Sequence, residues 1–133
     1  MPASAMLHEI DPRIALKRKI GDVSSIEVCH NQVLVAIYMR PEQTKGKIIL
    51  TDATREEDRY QGKVGLILKC GPKAFDDPSG VWSWPSDMGV DDWVYFRVSD
   101  GWGVTVNADR ENLCRVLDDI HIRGRIENPD DIW

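Results

Sequence analysis

The stretch PEQTKGKIILTDATREEDRYQG, residues 41–62, places one apolar triplet inside a long polar segment. The triplet is Ile48-Ile49-Leu50. Apolar, β-branched runs lie on both sides, at 33–39 and 64–68, and such runs are typical of buried strands. The pattern predicts a long loop that leaves a β-domain, and loops of this length usually carry function. Alternatively, the triplet is a short strand packed against the core.

Length and composition predict one soluble domain. The chain has 133 residues and a net charge of −5, so nucleic acid is not an expected partner. No apolar run approaches the roughly 18 residues that a membrane span needs. The N-terminus has no apolar region of the secretory kind, so we expect a cytoplasmic chain. Three scattered cysteines, Cys29, Cys70 and Cys114, indicate neither a disulfide framework nor a zinc site.

Several short apolar runs at regular spacing predict an all-β fold, either a barrel or a sandwich. Apart from the runs that flank the loop, the sequence predicts strands at 93–98 and 113–117. A tight turn at 99–103 should lead into a return strand that begins at Val104. No sustained helical period is found, although Asp11-Pro12 is a good opening for a short helix through Lys19.

Three segments extend beyond the predicted strands. Residues 1–28 are expected to form an N-terminal arm, whose basic cluster at 17–19 is either solvated or docks on an acidic neighbour. Residues 123–133 are expected to form a short polar tail. Residues 72–89 are rich in Pro and Gly and form a hairpin-like excursion that carries Trp82 and Trp84 on one face. The two indoles either cover the domain's own core or form a secondary contact surface.

No catalytic constellation is present in the sequence. The three histidines share no motif, and the paired aspartates occur at turns, where Asp is favoured for backbone reasons. The Gly-Trp-Gly sequence at 101–103 precedes no helix and lacks the Lys-Ser/Thr of a phosphate-binding loop. The sequence therefore predicts a binding or assembly protein rather than an enzyme, with no metal and no cofactor.

The order of these elements resembles the GroES family of co-chaperonins over residues 29–122. Residues 31–35 (NQVLV) are similar to the family's D-R-V-x-V strand, and 46–50 (GKIIL) to its G-G-[IL]-x-L loop motif. TDA at 51–53 and GKV at 62–64 follow in order. VDDWVYF at 90–96 is similar to V-G-D-x-V-x-F, although the family's glycine is replaced by Asp91. The turn at 100–104 and the final strand at 116–120 complete the series.

This resemblance implies a small, irregular β-barrel with a mobile loop at 41–62 and a roof-like excursion at 72–89. It also implies a homo-oligomeric ring, a heptamer in the family, whose loops bind the apical domain of a chaperonin. The anchors here would be Gly46, Ile48, Ile49 and Leu50. Family rings form when the first strand of one subunit pairs with the last strand of the next, which predicts a seam formed by Val33, Val35, Val116 and Leu117.

Two functions agree with the sequence. The first is a co-chaperonin, divergent and encoded by a bacteriophage, that caps a chaperonin cage in the host cytoplasm. The second is a virion structural protein, a capsid decoration or cement protein that uses the GroES-like barrel to bind the major capsid protein. In the second case the arm, the tail and the loop would staple neighbouring subunits together.

Overall fold

The described chain consists of six short strands, one α-helix and two 3-10 turns. The computed structural model describes residues 10–39, 63–79, 84–108 and 113–132. The helix is α1 (Pro12–Ile20), and the 3-10 turns are Asp119–His121 and Pro129–Asp131. The strands are β1 (Gln32–Ile37), β2 (Val64–Cys70), β3 (Trp93–Tyr95), β4 (Trp102–Val104), β5 (Cys114–Asp118) and β6 (Gly124–Ile126). They form one antiparallel sheet in the order β4-β5-β1-β2-β3-β6, which confirms the all-β prediction.

Strand β1 lies at the centre of the sheet and is buried on both faces. It pairs with β5, with Val33 opposite Leu117, and with β2, with Ile37 opposite Gly65. Because side chains alternate along a strand, successive residues of β1 enter two separate core clusters. Val33, Val35 and Ile37 pack with one cluster, which also contains Val94, Phe96 and Leu117. Leu34, Ala36 and Tyr38 pack with the other, which contains Leu66 and Trp93.

The helix α1 forms where its capping residues predict it. The side chain of Asp11 accepts a hydrogen bond from the backbone N–H of Arg13 at 2.8 Å, and Pro12 occupies the first turn. The helix ends at Gly21, whose φ of 87° favours glycine. Leu16 and Ile20 are buried in the same cluster as Trp93. This part of the expected arm therefore contributes to the core of its own domain.

Strand β6 lies in the segment that we expected to be a polar tail. It pairs with β3, with Trp93 opposite Ile126 and Tyr95 opposite Gly124. A Cβ at Gly124 would overlap the hydroxyl group of Tyr95, so the close approach of these two strands depends on glycine there. No strand is predicted at this position because Gly124-Arg125-Ile126 contains only one apolar residue.

Strand β4 pairs with β5, with Gly103 opposite Arg115, and not with β3. The turn at 99–103 therefore does not join neighbouring strands, which corrects the expectation of a strand returning beside β3. The physical reason is that β2 and β6 occupy both edges of β3. Arg115 holds the turn through hydrogen bonds from its Nη1 to the carbonyl oxygens of Val98 and Asp100, at 2.9 and 3.2 Å. Burial lowers the pKa of its guanidinium, and the charge of Asp100 opposes that shift.

Replacing Gly101 by Ala should destabilise the domain by more than about 1 kcal/mol. Gly101 has a φ of 71°, and a Cβ there would overlap the carbonyl oxygen of Val116 and lie 2.5 Å from the Cδ2 of Leu117. Urea denaturation of both proteins measures the difference. Gly89→Ala is the matched control, because a Cβ at Gly89 meets nothing within 4 Å. Equal unfolding free energies for the two variants would contradict this account of the turn.

Candidate partner-binding site

The predicted loop anchors Gly46, Ile48, Ile49 and Leu50, together with Trp82, lie outside the described residues. The structure does describe the place where the loop joins the sheet. We call Tyr38, Met39, Lys63 and Val64 the loop root. The backbone N–H of Tyr38 donates to the carbonyl oxygen of Val64 at 2.9 Å. The chain therefore leaves β1 and enters β2 at the same point of the sheet.

The side chain of Tyr38 fixes one side of the loop root. Its hydroxyl group donates a hydrogen bond to Oδ1 of Asp130, and both residues are buried, with 4% and 1% of their surfaces exposed. Its ring meets the indole of Trp93 edge to face, with centroids 5.4 Å apart and an interplanar angle of 72°. Asp130 is positioned in turn by Asn128, whose side chain accepts from the Asp130 N–H at 3.0 Å.

The other side of the loop root is fixed by Phe96, the residue that follows β3. The backbone N–H of Phe96 donates to the carbonyl oxygen of Lys63 at 2.9 Å. Phe96 is itself buried in the core cluster that contains Val33 and Val35. The described residues on either side of segment 41–62 are thus held to each other and to Phe96 by backbone hydrogen bonds.

The excursion at 72–89 is attached to the sheet through Asp119, which is 3% exposed. One carboxylate oxygen accepts from the side-chain amide of Asn31 and the other from the backbone N–H of Phe75, both at 2.9 Å. Phe75 meets the half-buried indole of Trp84 edge to face, with centroids 5.6 Å apart. Trp84 therefore packs on its own chain, while a contact surface that includes Trp82 stays a prediction.

Arg125 ties the end of the excursion to β6. Its Nη1 donates to carboxylate oxygens of Asp87 at 2.9 Å and of Asp92 at 3.3 Å. The hydrogen bond from Arg125 lowers the pKa of Asp87, and the same bond raises the pKa of Arg125. Asp92 also accepts from the backbone N–H of Gly89 at 2.9 Å. These contacts lie at the surface, where ion pairs contribute about 0–1 kcal/mol.

The four residues assigned to a seam between subunits lie at an internal pairing of the single chain. Val33 is opposite Leu117, and Leu34 is opposite Val116. Val33, Val35 and Leu117 are fully buried within the chain. Within the single chain, β2 and β5 occupy both edges of β1, and a seam at these four residues stays a prediction. The outer strands of the described sheet are β4 and β6.

The cysteines lie in three different environments. Cys29 is exposed, Cys70 is half-buried and Cys114 is buried. Burial, followed by the negative charge of Asp92, raises the pKa of the Cys70 thiol. Cys29 and Cys70 line an open cavity of about 560 Å³ beside His30 and Lys69. Among the described residues, no three His, Cys, Asp or Glu side chains are grouped so that they could hold a metal ion.

A family model decides which proteins the chain is related to. The model of the chaperonin 10 kDa subunit, Cpn10, matches residues 25–122. The chain belongs to the Cpn10 family. The resemblance to GroES-like co-chaperonins is thereby confirmed, and in general terms the protein is a co-chaperonin. No curated protein matches the sequence. Within the described ranges, no helix is both long enough and apolar enough to cross a bilayer.

Two contacts of this site were missed by the sequence analysis. Asn128-Pro129-Asp130 is a local signal for a capped turn, with Asn as the capping residue and Pro in the first position. That signal could have placed the turn, but not its contact with Tyr38, which is 92 residues away. Asp119 stands in one of the aspartate pairs that we assigned to turns, and nothing local shows that it is buried.

Replacing Asp119 by Ala should lower the unfolding free energy by about 1–3 kcal/mol, because it leaves the N–H groups of Asn31 and Phe75 without their acceptor. Urea denaturation followed by tryptophan fluorescence measures the loss. Asp118→Ala is the matched control, since the Asp118 side chain makes no capping hydrogen bond to the 3-10 turn. A loss no larger than the control's would show that Asp119 does not hold the excursion.

Proposed function

We propose that this Cpn10-family protein caps a chaperonin cage through its 41–62 loop and performs no catalysis of its own. Ile48, Ile49 and Leu50 would be the anchors that dock on the chaperonin's apical domain, with Gly46 allowing the backbone to approach. Family membership supports the general function. The observation that carries the loop assignment is the loop root, where Tyr38 and Val64 are held together by a backbone hydrogen bond.

The energetics of such a loop favour several weak contacts over one strong contact. Each buried aliphatic anchor contributes about 1.5–3 kcal/mol before the cost of ordering the loop is subtracted. A loop with a fixed base loses less conformational freedom on docking than one whose ends are free to move apart. Binding by one subunit remains weak, and a ring that presents several loops together raises the overall affinity.

Ring assembly would use the outer strands of the sheet. The Cpn10 family is oligomeric in general, and we propose a homo-oligomeric ring, a heptamer as the resemblance implies. A seam at Val33 and Leu117 would require the β1–β5 pairing to open, which exposes fully buried residues. Pairing through β4 or β6 requires no such opening, because those strands are the outer strands of the described sheet.

The virion alternative receives no support from the described part of the two extensions. Staples between subunits need segments that leave their own domain. Here Leu16 and Ile20 of α1 pack in their own core, and β6 pairs with β3 of the same chain. These contacts favour the co-chaperonin function over a cement protein that binds a major capsid protein.

Replacing Ile49 by Ser should abolish the binding of the protein to its host chaperonin and the inhibition of the chaperonin's ATPase, while leaving the fold intact. The physical reason is the loss of one apolar anchor from each loop of the ring. Pull-down with ATP and steady-state ATPase assays measure the effect. Ile14→Ser is the matched control, because Ile14 is an exposed isoleucine on α1, outside the loop.

The same pull-down separates the two functions. Retention of the wild-type protein and of Ile14→Ser, but not of Ile49→Ser, supports the proposal. If the wild-type protein is not retained with ATP present, and is recovered in stoichiometric amounts from purified virions, the co-chaperonin proposal is wrong.

A further inference from the structure

The two segments outside the family match converge on one residue of the core. The match covers 25–122, so α1 precedes it and β6 follows it. The guanidinium of Arg13 on α1 lies over the indole of Trp93, with its Cζ 5.9 Å from the ring centroid. From the other end of the chain, Ile126 of β6 is opposite Trp93 in the sheet. Trp93 in turn packs against Tyr38 of the loop root.

The C-terminal extension reaches the loop root directly. We call residues 124–132 the strap. Its strand β6 covers the outer edge of β3, and its 3-10 turn buries Pro129 and Asp130. That turn brings the Asp130 carboxylate to the hydroxyl group of Tyr38. Ile132 packs against the core cluster that contains Tyr38 and Trp93, so the strap is attached on both sides of Asp130.

The position of this hydrogen bond suggests more than general stabilisation. The carboxylate of Asp130 is 1% exposed, and burying a carboxylate costs free energy unless it is hydrogen-bonded. Its partner Tyr38 is the residue at which β1 passes into the loop, and the Tyr38 N–H closes the root by bonding to Val64. Tyr38 therefore contacts the strap through its side chain and closes the loop root through its backbone N–H.

We propose that the strap is a positioning element that holds the loop root closed, and that the affinity of the loop for its partner depends on it. The claim that the affinity of the loop depends on the strap rests on the proposed co-chaperonin function. The claim that the strap holds the loop root closed does not, because that closure can be measured on the protein alone.

Hydrogen exchange on the full-length protein tests whether the strap holds the root. In Tyr38→Phe, which removes only the hydroxyl group, the amide of residue 38 should lose roughly fivefold or more of its protection, since a hydrogen bond contributes about 1 kcal/mol. The amide of Gly71 is the internal reference, because it donates to the carbonyl oxygen of Gln32 at the opposite end of the β1–β2 pair. Asp130→Ala removes the acceptor of the same bond, again with Gly71 as the reference.

Ile67→Val is the matched control for stability. Ile67 is fully buried in the middle of β2 and packs in the core cluster that contains Val33 and Phe96, so the loss of one methyl group lowers global stability without touching the strap. In the control, residue 38 and Gly71 should lose protection by equal factors. In the strap variants, residue 38 should lose more than Gly71 does.

Binding of the same three variants to the chaperonin tests the positioning role. Tyr38→Phe and Asp130→Ala should bind at least about fivefold more weakly than the wild type, while Ile67→Val, folded at the assay temperature, should bind as the wild type does. If the strap variants lose exchange protection by equal factors at residue 38 and at Gly71, the strap does not hold the loop root closed. Selective loss of protection with control-like binding would overturn its positioning role. If the wild type itself does not bind, the proposed function is wrong, and the exchange data alone decide whether the strap holds the root.

Discussion

The burial of β1 on both faces and the pairing of both its edges constrain the rest of this structure. A strand with apolar residues at every position from 33 to 37 must have cover on each face, and two core clusters provide it. Both backbone edges of β1 are paired within the single chain, which is why we propose ring assembly through the outer strands rather than the seam expected at β1 and β5. Segment 41–62, which we propose as the partner-binding loop, follows β1, the most buried strand of the described sheet.

The extensions at the two ends of the chain are integrated into the domain by burial more than by charge. Lys17 bonds with Asp91, and the Nε of Arg13 donates to the Asp91 carbonyl oxygen at 2.8 Å. Both contacts lie at the surface, where an ion pair contributes about 0–1 kcal/mol. Leu16 and Ile20, buried in the core, contribute about 1.5–3 kcal/mol each. The charged contacts therefore set the orientation of α1, while the apolar side chains hold it in place.

A protein that works by presenting a loop needs a rigid base more than it needs reactive groups. Under the proposed function, two carboxylates buried in the described domain would provide that base. Asp119 holds the base of the excursion through Asn31 and Phe75, and Asp130 holds the root of the loop through Tyr38. Each carboxylate joins segments that are far apart in the chain, and in the folded domain each is buried from water and accepts hydrogen bonds from the protein instead. Buried polar contacts of this kind specify one arrangement, because removing one partner leaves the other without its hydrogen bond.

The sequence by itself determined the strands with long apolar runs, the capped helix α1, the position of the loop between β1 and β2, and the order of motifs that identifies the family. All of these are local: period, propensity and capping are read from neighbouring residues. Only the tertiary structure decided that β4 pairs with β5, that Gly124-Arg125-Ile126 is a strand, and that Asp130 meets Tyr38. The physical reason is that the partner of a strand or of a buried carboxylate is set by which edges and which donors remain free once β1 has its neighbours. These pairings join residues far apart in the chain, so no local sequence pattern predicts them.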